Sequence, residues 1–495
     1  MSRILNKIIP SVNPNKKGYR RNFFVKKVAI IGGGVAGLSA GIYGQLRGYD
    51  CTVIEKNHTA GGNLTGWERH GCKIDNCMHW LTGTKEGSEY NRMWRDLGVL
   101  GEGIEMSRRD PFYYSEYGGK RLGLWRDTGR TLRDMKAVSP VDTKESERFI
   151  RTVESLIAAK DEKDAVKRNG AYAAAYIGYG RITLSELAKR FTSESLRCLM
   201  TDYLGGELAA ITLIGAYAVF ASGDGDVPAG GSRATAARME ERFRSLGGRL
   251  MTSTEAERIM YRGRQAYGVL LPKKRLLTAD AVICCCDPRV TFGRLLPKSA
   301  MPKMLGYAYE RGGELFSSIH AAFLCRDGAT LPKGITAFGI KPVKLDGKEK
   351  DRMVVMPYRE GFSPDGKVVL QVMFSLHEET ARLWIRASGN REKYSAAKER
   401  FAAAVASRLK ERYPEVADSL SLLDVWTPAT YSQFLSSYEG SYLSFAATPN
   451  GMIYRAPSRI HGFDNVCLAT QWQSSPGGLP VAAAAGMKAV NRLRL

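Results

Sequence analysis

Apolar and polar positions along the chain fall into blocks of different period. Lys26 to Ile31 is a short β-type run that enters a cluster of glycines, Val35 to Arg47 carries apolar residues at helical spacing, and Cys51 to Ile54 is a second β-type run. Strand, glycine turn, helix and strand in that order open a βαβ unit. From Asp142 to about Phe220 the periodicity is mostly helical. Within it Leu208 to Ala221, LAAITLIGAYAVFA, has no polar face, which predicts a buried helix or the wall of a greasy cavity. Alternating strands follow between Leu315 and Phe374, among them Lys367 to Ser375, and an amphipathic helix over roughly Glu392 to Arg412 stops before Pro414. No window reaches the roughly 18 apolar residues of a membrane-spanning helix, and no internal repeat is visible.

Composition narrows the class. The chain has 495 residues, 44% apolar and 25% charged, which suits two or three folded modules and excludes collagen-like, low-complexity and wholly disordered chains. Nine scattered cysteines form no CxxC pair, so free thiols in a reducing compartment are expected, with no disulfide framework and no metal site. The net charge of +23 needs a partner or a reason. Nucleic acid is set aside, because the basic residues are dispersed and neither zinc-finger spacing nor an aromatic-plus-basic RNA signature is present. Peripheral contact with an anionic membrane surface fits the charge, and so does an ordinary solvated basic face. No acid precedes Asp50, so residues 1–25 form a basic leader. Its apolar stretch, Ile4 to Ile9, is interrupted by Lys7 and too short for a secretory signal. A mitochondrial presequence and an arm lying on lipid head groups both have this look.

The glycine cluster carries the first chemistry. Gly32, Gly34 and Gly37 stand in GxGxxG spacing between strand and helix: the first permits the tight turn, the second lets the backbone approach a pyrophosphate, and the third lets the helix pack close. The free N–H groups at the helix N-terminus attract phosphate. Glu55 ends the second strand 18 residues beyond Gly37, where a carboxylate accepts hydrogen bonds from ribose hydroxyls. No second fingerprint exists, so one dinucleotide site is expected.

Beyond Glu55 come Gly61-Gly62-Asn63, Gly71, Asp75 and His79-Trp80-Leu81-Thr82-Gly83. With the preceding residues this stretch resembles the N-terminal FAD signature of the phytoene desaturase, carotenoid isomerase and retinol saturase group; flavin amine oxidases are more distant kin. Pro228 to Pro288 and Val466 to Val490 resemble two further blocks of the same group, and weaker matches at Ser139 to Asp142 and Thr427-Pro428 extend the likeness over most of the chain from Lys26 onward.

The resemblance implies an α/β fold, a Rossmann-like FAD-binding domain of the GR2, amine-oxidase type with an inserted mixed α+β substrate domain. The FAD-binding domain would comprise residues 26–105, 225–290 and 441–495, and the substrate domain a mainly helical part, 106–224, and a strand-rich part, 291–440. By the same resemblance Gly32, Gly34, Gly37, Glu55 and Gly62 would hold the ADP half, with Ala256 presenting its backbone to the adenine. Pro476 to Pro480 is a turn expected to open a helix at about Val481, whose N-terminus would stabilise negative charge on a reduced flavin; Gly478 and Leu479 fall in that turn. Relatives commonly read Gly-Asp or Gly-Glu before it, whereas this chain has Thr470-Gln471, leaving Gln471 to make the contact as an amide.

Flavin carries its own redox chemistry, so few residues are compulsory. His79, in a region that lies near the isoalloxazine in relatives, is the candidate catalytic residue, with a normal pKa range suited to proton transfer; packing beside Trp80 is its bland alternative. Trp80 reads equally as core or cavity wall, and the pattern match at Asp75 has no evident task. Cys284-Cys285-Cys286 ends a strand whose alternation sends neighbours to opposite faces. Tyr438 to Phe445 reads as channel lining or as loop packing.

The expected function is FAD-dependent oxidation, reduction or isomerisation of carbon–carbon bonds in a long apolar polyene, isoprenoid or lipid. The expected location is cytoplasmic and peripheral to a membrane surface, with organellar import the alternative that the leader raises. Two other functions remain open: an amine or amino-acid oxidase, and a non-catalytic lipid-protein carrier of the Rab GDP dissociation inhibitor type.

Overall fold

The structure, a computed structural model, describes residues 25–493 except 311–313, 316, 346 and 452–453. All but Val25 of the basic leader lies outside the described residues.

A five-stranded parallel sheet is assembled from three distant stretches, in the order Val466–Leu468, Ala281–Cys284, Lys27–Ile31, Asp50–Ile54, Arg249–Met251. Its central strands are mostly apolar because both faces are covered. Val28, Ile30, Val53 and Ile283 face one core with helices Val35–Leu46, Gly231–Ser245 and Leu479–Arg492, while Ala29, Ile31, Ile54 and Val282 face another beneath an antiparallel three-stranded sheet, Arg258–Arg262, Gln265–Leu271 and Arg275–Thr278. The first and last helices are in direct contact: Ser39 donates to the Ala483 carbonyl at 2.7 Å, and a Cβ on Gly486 would lie 2.3 Å from the Ala36 oxygen. Only glycine permits that approach.

A seven-stranded sheet runs Ser421–Trp426, Ser317–Arg326, Lys367–Leu376, Lys348–Tyr358, Thr336–Leu345, Tyr114–Tyr117, Lys120–Gly123. Its alternation splits two cores. Ile319, Ala321, Phe323 and Cys325 turn to Phe401, Val405 and Leu409 of the helix Arg391–Arg412, while Ala322, Met356 and Met373 face a helical layer that includes Thr143–Asp161 and Ile211–Ala221.

Two predicted boundaries move by more than one residue. The apolar run at Leu208 becomes helical only from Ile211, because Leu208 and Ala210 make sheet-like hydrogen bonds to Leu184 and Ile182. The C-terminal helix opens at Leu479 rather than at about Val481, since Pro480 is accommodated in a first helical turn. No helix among the described residues is long and apolar enough to cross a membrane.

Candidate active site

The three stretches that build the parallel sheet meet at a cavity of ≈ 800 Å³ outside the carboxyl ends of its strands, where ligands of such sheets bind. Gly32 turns with φ +102°, and a Cβ on Gly37 would lie 1.8 Å from the Gly32 oxygen, so the turn and the close helix require these two glycines. Gly34 faces the second glycine pair: a Cβ on Gly62 would stand 3.0 Å from the Gly34 Cα, and the Gly61 N–H donates to the Gly33 carbonyl at 2.8 Å. Buried Glu55 accepts from the Gly33 N–H at 2.7 Å and the Asn57 N–H at 2.8 Å, which fixes its carboxylate on the cavity wall.

Gly34, Glu55, Gly62, Ala256, Gln471, Gly478 and Leu479 all line this cavity, and Gly32 lines its turn; Gly37 stands behind, where its task is packing. Gln471 has a specific role: its side-chain oxygen accepts from the Gly478 N–H at 3.0 Å and its amide donates to the Tyr442 carbonyl at 3.3 Å. A carboxylate would serve the first bond and oppose the second, so an amide suits this turn. The N-terminus of helix Leu479–Arg492 then opens onto the cavity with no side-chain cap.

Asp75 acquires its task here. Its buried carboxylate accepts from the Ser232 N–H at 2.7 Å, the Ser232 hydroxyl at 2.6 Å, the Cys77 N–H at 3.1 Å and the Met78 N–H at 3.3 Å. It thereby ties the loop that carries Cys77 and His79 to the start of helix Gly231–Ser245.

His79 does line the cavity, 6.1 Å between ring centres from Tyr203, and Trp80 is cavity wall packed on Phe112 and Tyr203. The expectation that its pKa suits proton transfer near neutrality is corrected: burial, aided by the positive charge of Arg109, pushes it down to about 4. His79 is a neutral hydrogen-bonding group at physiological pH. Cys284 and Cys286 turn to one core and Cys285 to the other; among the described residues every cysteine is free and no metal-binding cluster exists.

Tyr203, His320, Met373 and Tyr431 are among the cavity residues that escaped sequence reasoning. His320 carried a signal, a histidine two places after Ser318 on an alternating strand. Ser441, Tyr442 and Leu443 confirm that the Tyr438 to Phe445 segment reaches the cavity, and Leu208, Ile211, Thr212, Gly215 and Ala216 make one apolar segment part of its wall.

A cradle of glycines, a strand-end glutamate and an open helix N-terminus drawn from three chain segments agrees with a family model described as flavin containing amine oxidoreductase, which matches residues 35–494. The chain belongs to this family. It is an FAD-dependent oxidoreductase. It is 21% identical over 293 residues to a 4,4'-diapolycopen-4-al dehydrogenase of Metabacillus indicus, covering 56% of this chain and 58% of that protein. It is 23% identical over 320 residues to a neurosporene-forming phytoene desaturase of Cereibacter sphaeroides, covering 58% and 57%. The matches thus span less than two thirds of either relative. Among solved structures, an oxidoreductase from Methanosarcina mazei superposes with a TM-score of 0.64 at 14% identity, over 94% of this chain and 100% of that one. Cyclohexylamine oxidase from Brevibacterium oxydans gives 0.57 at 15%, over 94% and 98%. These two establish the fold.

Proposed function

We propose that the protein acts on carbon–carbon bonds of a long apolar molecule, a polyene, isoprenoid or related lipid, by desaturation, saturation or isomerisation. Bound FAD supplies the two-electron redox chemistry. Gly32, Gly34, Glu55, Gly62 and Ala256 hold its ADP half, and Gln471, Gly478 and Leu479 its flavin half. The carboxyl oxygens of Glu55 receive ribose hydroxyls, and the N–H groups at the two helix N-termini face negative charge. Trp80, Tyr203 and the apolar helix Ile211–Ala221 exclude water, and His79 offers a neutral hydrogen-bonding edge.

One observation carries the substrate class. The lining carboxylates among the described residues are Glu55, Glu255 and Asp287, and each follows a strand of the parallel sheet at the nucleotide end. The rest of the wall includes the apolar Leu204, Leu208, Ile211, Ala216, Met373 and Leu435 with tyrosines and histidines, beside uncharged polar residues such as Asn63, Asn76, Ser375 and Ser441 and the cations Lys56 and Arg294. A substrate ammonium would meet no carboxylate there, whereas an apolar chain meets a surface of its own kind. The amine-oxidase reading draws on the family description and on fold likeness but finds no carboxylate for the ammonium, and the carrier reading leaves the complete nucleotide cradle without a purpose.

The same reading brings the protein to an anionic lipid surface, the source of such a substrate. Helix Ala165–Tyr179 exposes Val166 at 81% and Ile177 at 80% beside Lys163, Lys167 and Arg168, on a chain of net charge +23. It packs on helices Thr143–Asp161 and Ile211–Ala221, the second of which lines the cavity.

Anaerobic mixing tests the function. Bleaching of the flavin band by a polyene or isoprenoid, or its return when reduced protein meets an unsaturated lipid, supports the reading. Bleaching by amines with no response to polyenes, retinoids or fatty acids sinks it, and purified protein that takes up no flavin favours the carrier.

A further inference from the structure

A polar pair, of which one member lines the cavity, has no part in the function proposed above. On strand Ser317–Arg326, Ser318 and His320 are two residues apart and therefore share a face, while Ile319 between them enters the opposite apolar core. His320 pairs across the sheet with Met373 on one side and Trp426 on the other, and Ser318 pairs with Ser375. His320, Met373 and Ser375 line the cavity.

His320 is held on two sides. Its ring lies flat on Trp426, 4.7 Å between centres and 4° from parallel, and its Nε2 is 2.7 Å from the Ser318 hydroxyl. Its Nδ1 is buried with no hydrogen-bond partner, in a residue only 4% exposed. Buried polar atoms are almost always paired, so an orphan in a residue that lines a cavity marks a place where a ligand atom can complete the set. Burial, with His79 adding to it, pushes the ring pKa down to about 3, so the ring stays neutral and presents one N–H and one lone pair. With the Ser318 hydroxyl donating to Nε2, the proton rests on Nδ1; with the roles exchanged, Nδ1 is an acceptor.

We propose that His320, oriented by Ser318 and Trp426, forms an oxygen-binding subsite that takes the hydroxyl or carbonyl group of an otherwise apolar substrate. A hydroxyl suits either arrangement of the Ser318–His320 bond, and a carbonyl suits the one with hydrogen on Nδ1. Because the stacked ring is already fixed, little side-chain freedom is lost when the oxygen binds. His320 is thus a specificity residue that fixes how far along the chain the reacting carbons lie from the oxygen. This inference rests on the apolar-substrate reading and narrows it to oxygenated molecules.

The test uses the FAD-loaded protein and three probes of one carbon skeleton: farnesol, farnesal and the hydrocarbon farnesene, titrated by quenching of protein or flavin fluorescence. The expected result is about tenfold tighter binding of farnesol or farnesal than of farnesene, the worth of one buried hydrogen bond. His320→Phe, which keeps a ring on Trp426, should abolish that preference with an unaltered flavin spectrum; His320→Gln should restore part of it. Equal affinity of the wild-type protein for all three probes overturns this inference and leaves the apolar-substrate reading standing. Binding of none of them overturns both. Should His320→Phe fail to fold, Ser318→Ala, which removes only the orienting hydroxyl, is expected to reduce the same preference, and an unchanged preference there overturns the assigned orientation.

Discussion

Two glycines three residues apart separate the fold of the cradle from its ligand. A methyl on Gly37 would sit 1.8 Å from the Gly32 oxygen; carbon and oxygen of such groups normally stay about 3.3 Å apart, so helix and turn must open by roughly 1.5 Å. Both sides of the clash are backbone and neither can rotate away. Overpacking costs about 1–3 kcal/mol, here at the upper end, and alanine's helix preference returns about 1 kcal/mol. A net loss of roughly 2 kcal/mol is expected for Gly37→Ala. On Gly34 the added Cβ would lie 3.7 Å from the Gly62 Cα, an ordinary contact, at φ −72°, which alanine adopts freely. Gly34→Ala should therefore cost less than about 1 kcal/mol of stability, chiefly as a poorer helix cap. Its methyl nevertheless enters the cavity where the pyrophosphate approaches, and the FAD dissociation constant should rise about tenfold or more, about 1.4 kcal/mol. Urea unfolding of the apoproteins, followed by circular dichroism, reports the first quantity, and flavin fluorescence titration the second. Gly37→Ala should lose both stability and flavin, and Gly34→Ala flavin alone. Wild-type flavin affinity in Gly34→Ala would refute the placement of the cradle.

Asp75→Ala strands the N–H groups of Ser232, Cys77 and Met78, and thermal unfolding should register a loss of roughly 3 kcal/mol or more. Asp287, pushed up to about 6 by burial against the opposing hydrogen bonds of Arg289 and Tyr438, binds a proton in the folded state that the unfolded chain releases near pH 4. Its contribution to stability is therefore full below about pH 4 and lost as pH rises through 6. Asp287→Asn should gain on wild type by roughly 3 kcal/mol over that window, and a constant difference across it would count against the assignment. Because His79 is held neutral down to about pH 4, the rate of flavin reduction should show no inflection near 6.5 that His79→Gln removes. Val166→Asp with Ile177→Asp should weaken binding to anionic vesicles by tenfold or more, at about 1.5–3 kcal/mol for each buried side chain, in flotation assays at low salt; unchanged flotation would clear this helix of the role.

Much of the cradle was legible because its signals are local. The strand predicted at Lys26 to Ile31 runs over Lys27–Ile31, and the helix predicted over Val35 to Arg47 runs over Val35–Leu46; both follow from side-chain period and from glycine's freedom at Gly32. Ala256, Gln471 and Gly478 were found through blocks of matching pattern, and all three reach the cavity. The task of Asp75 was invisible, since its main partner, Ser232, is 157 residues away. His320 was missed because only strand register puts it opposite Met373 and Trp426, and only the packed cavity leaves its Nδ1 without a partner.

The chain alone therefore determined the nucleotide turn, the helices and strands around it and the flavoprotein family, because backbone freedom and apolar period act between near neighbours. Tertiary structure decided which side chains share one cavity and in what protonation state. Ser39 and Ala483, 444 residues apart, must touch before the cradle closes. The charge on His79 is set by the burial and the Arg109 guanidinium that folding brings to it. Solvent exclusion and long-range pairing belong to the assembled molecule, and no short window of residues contains them.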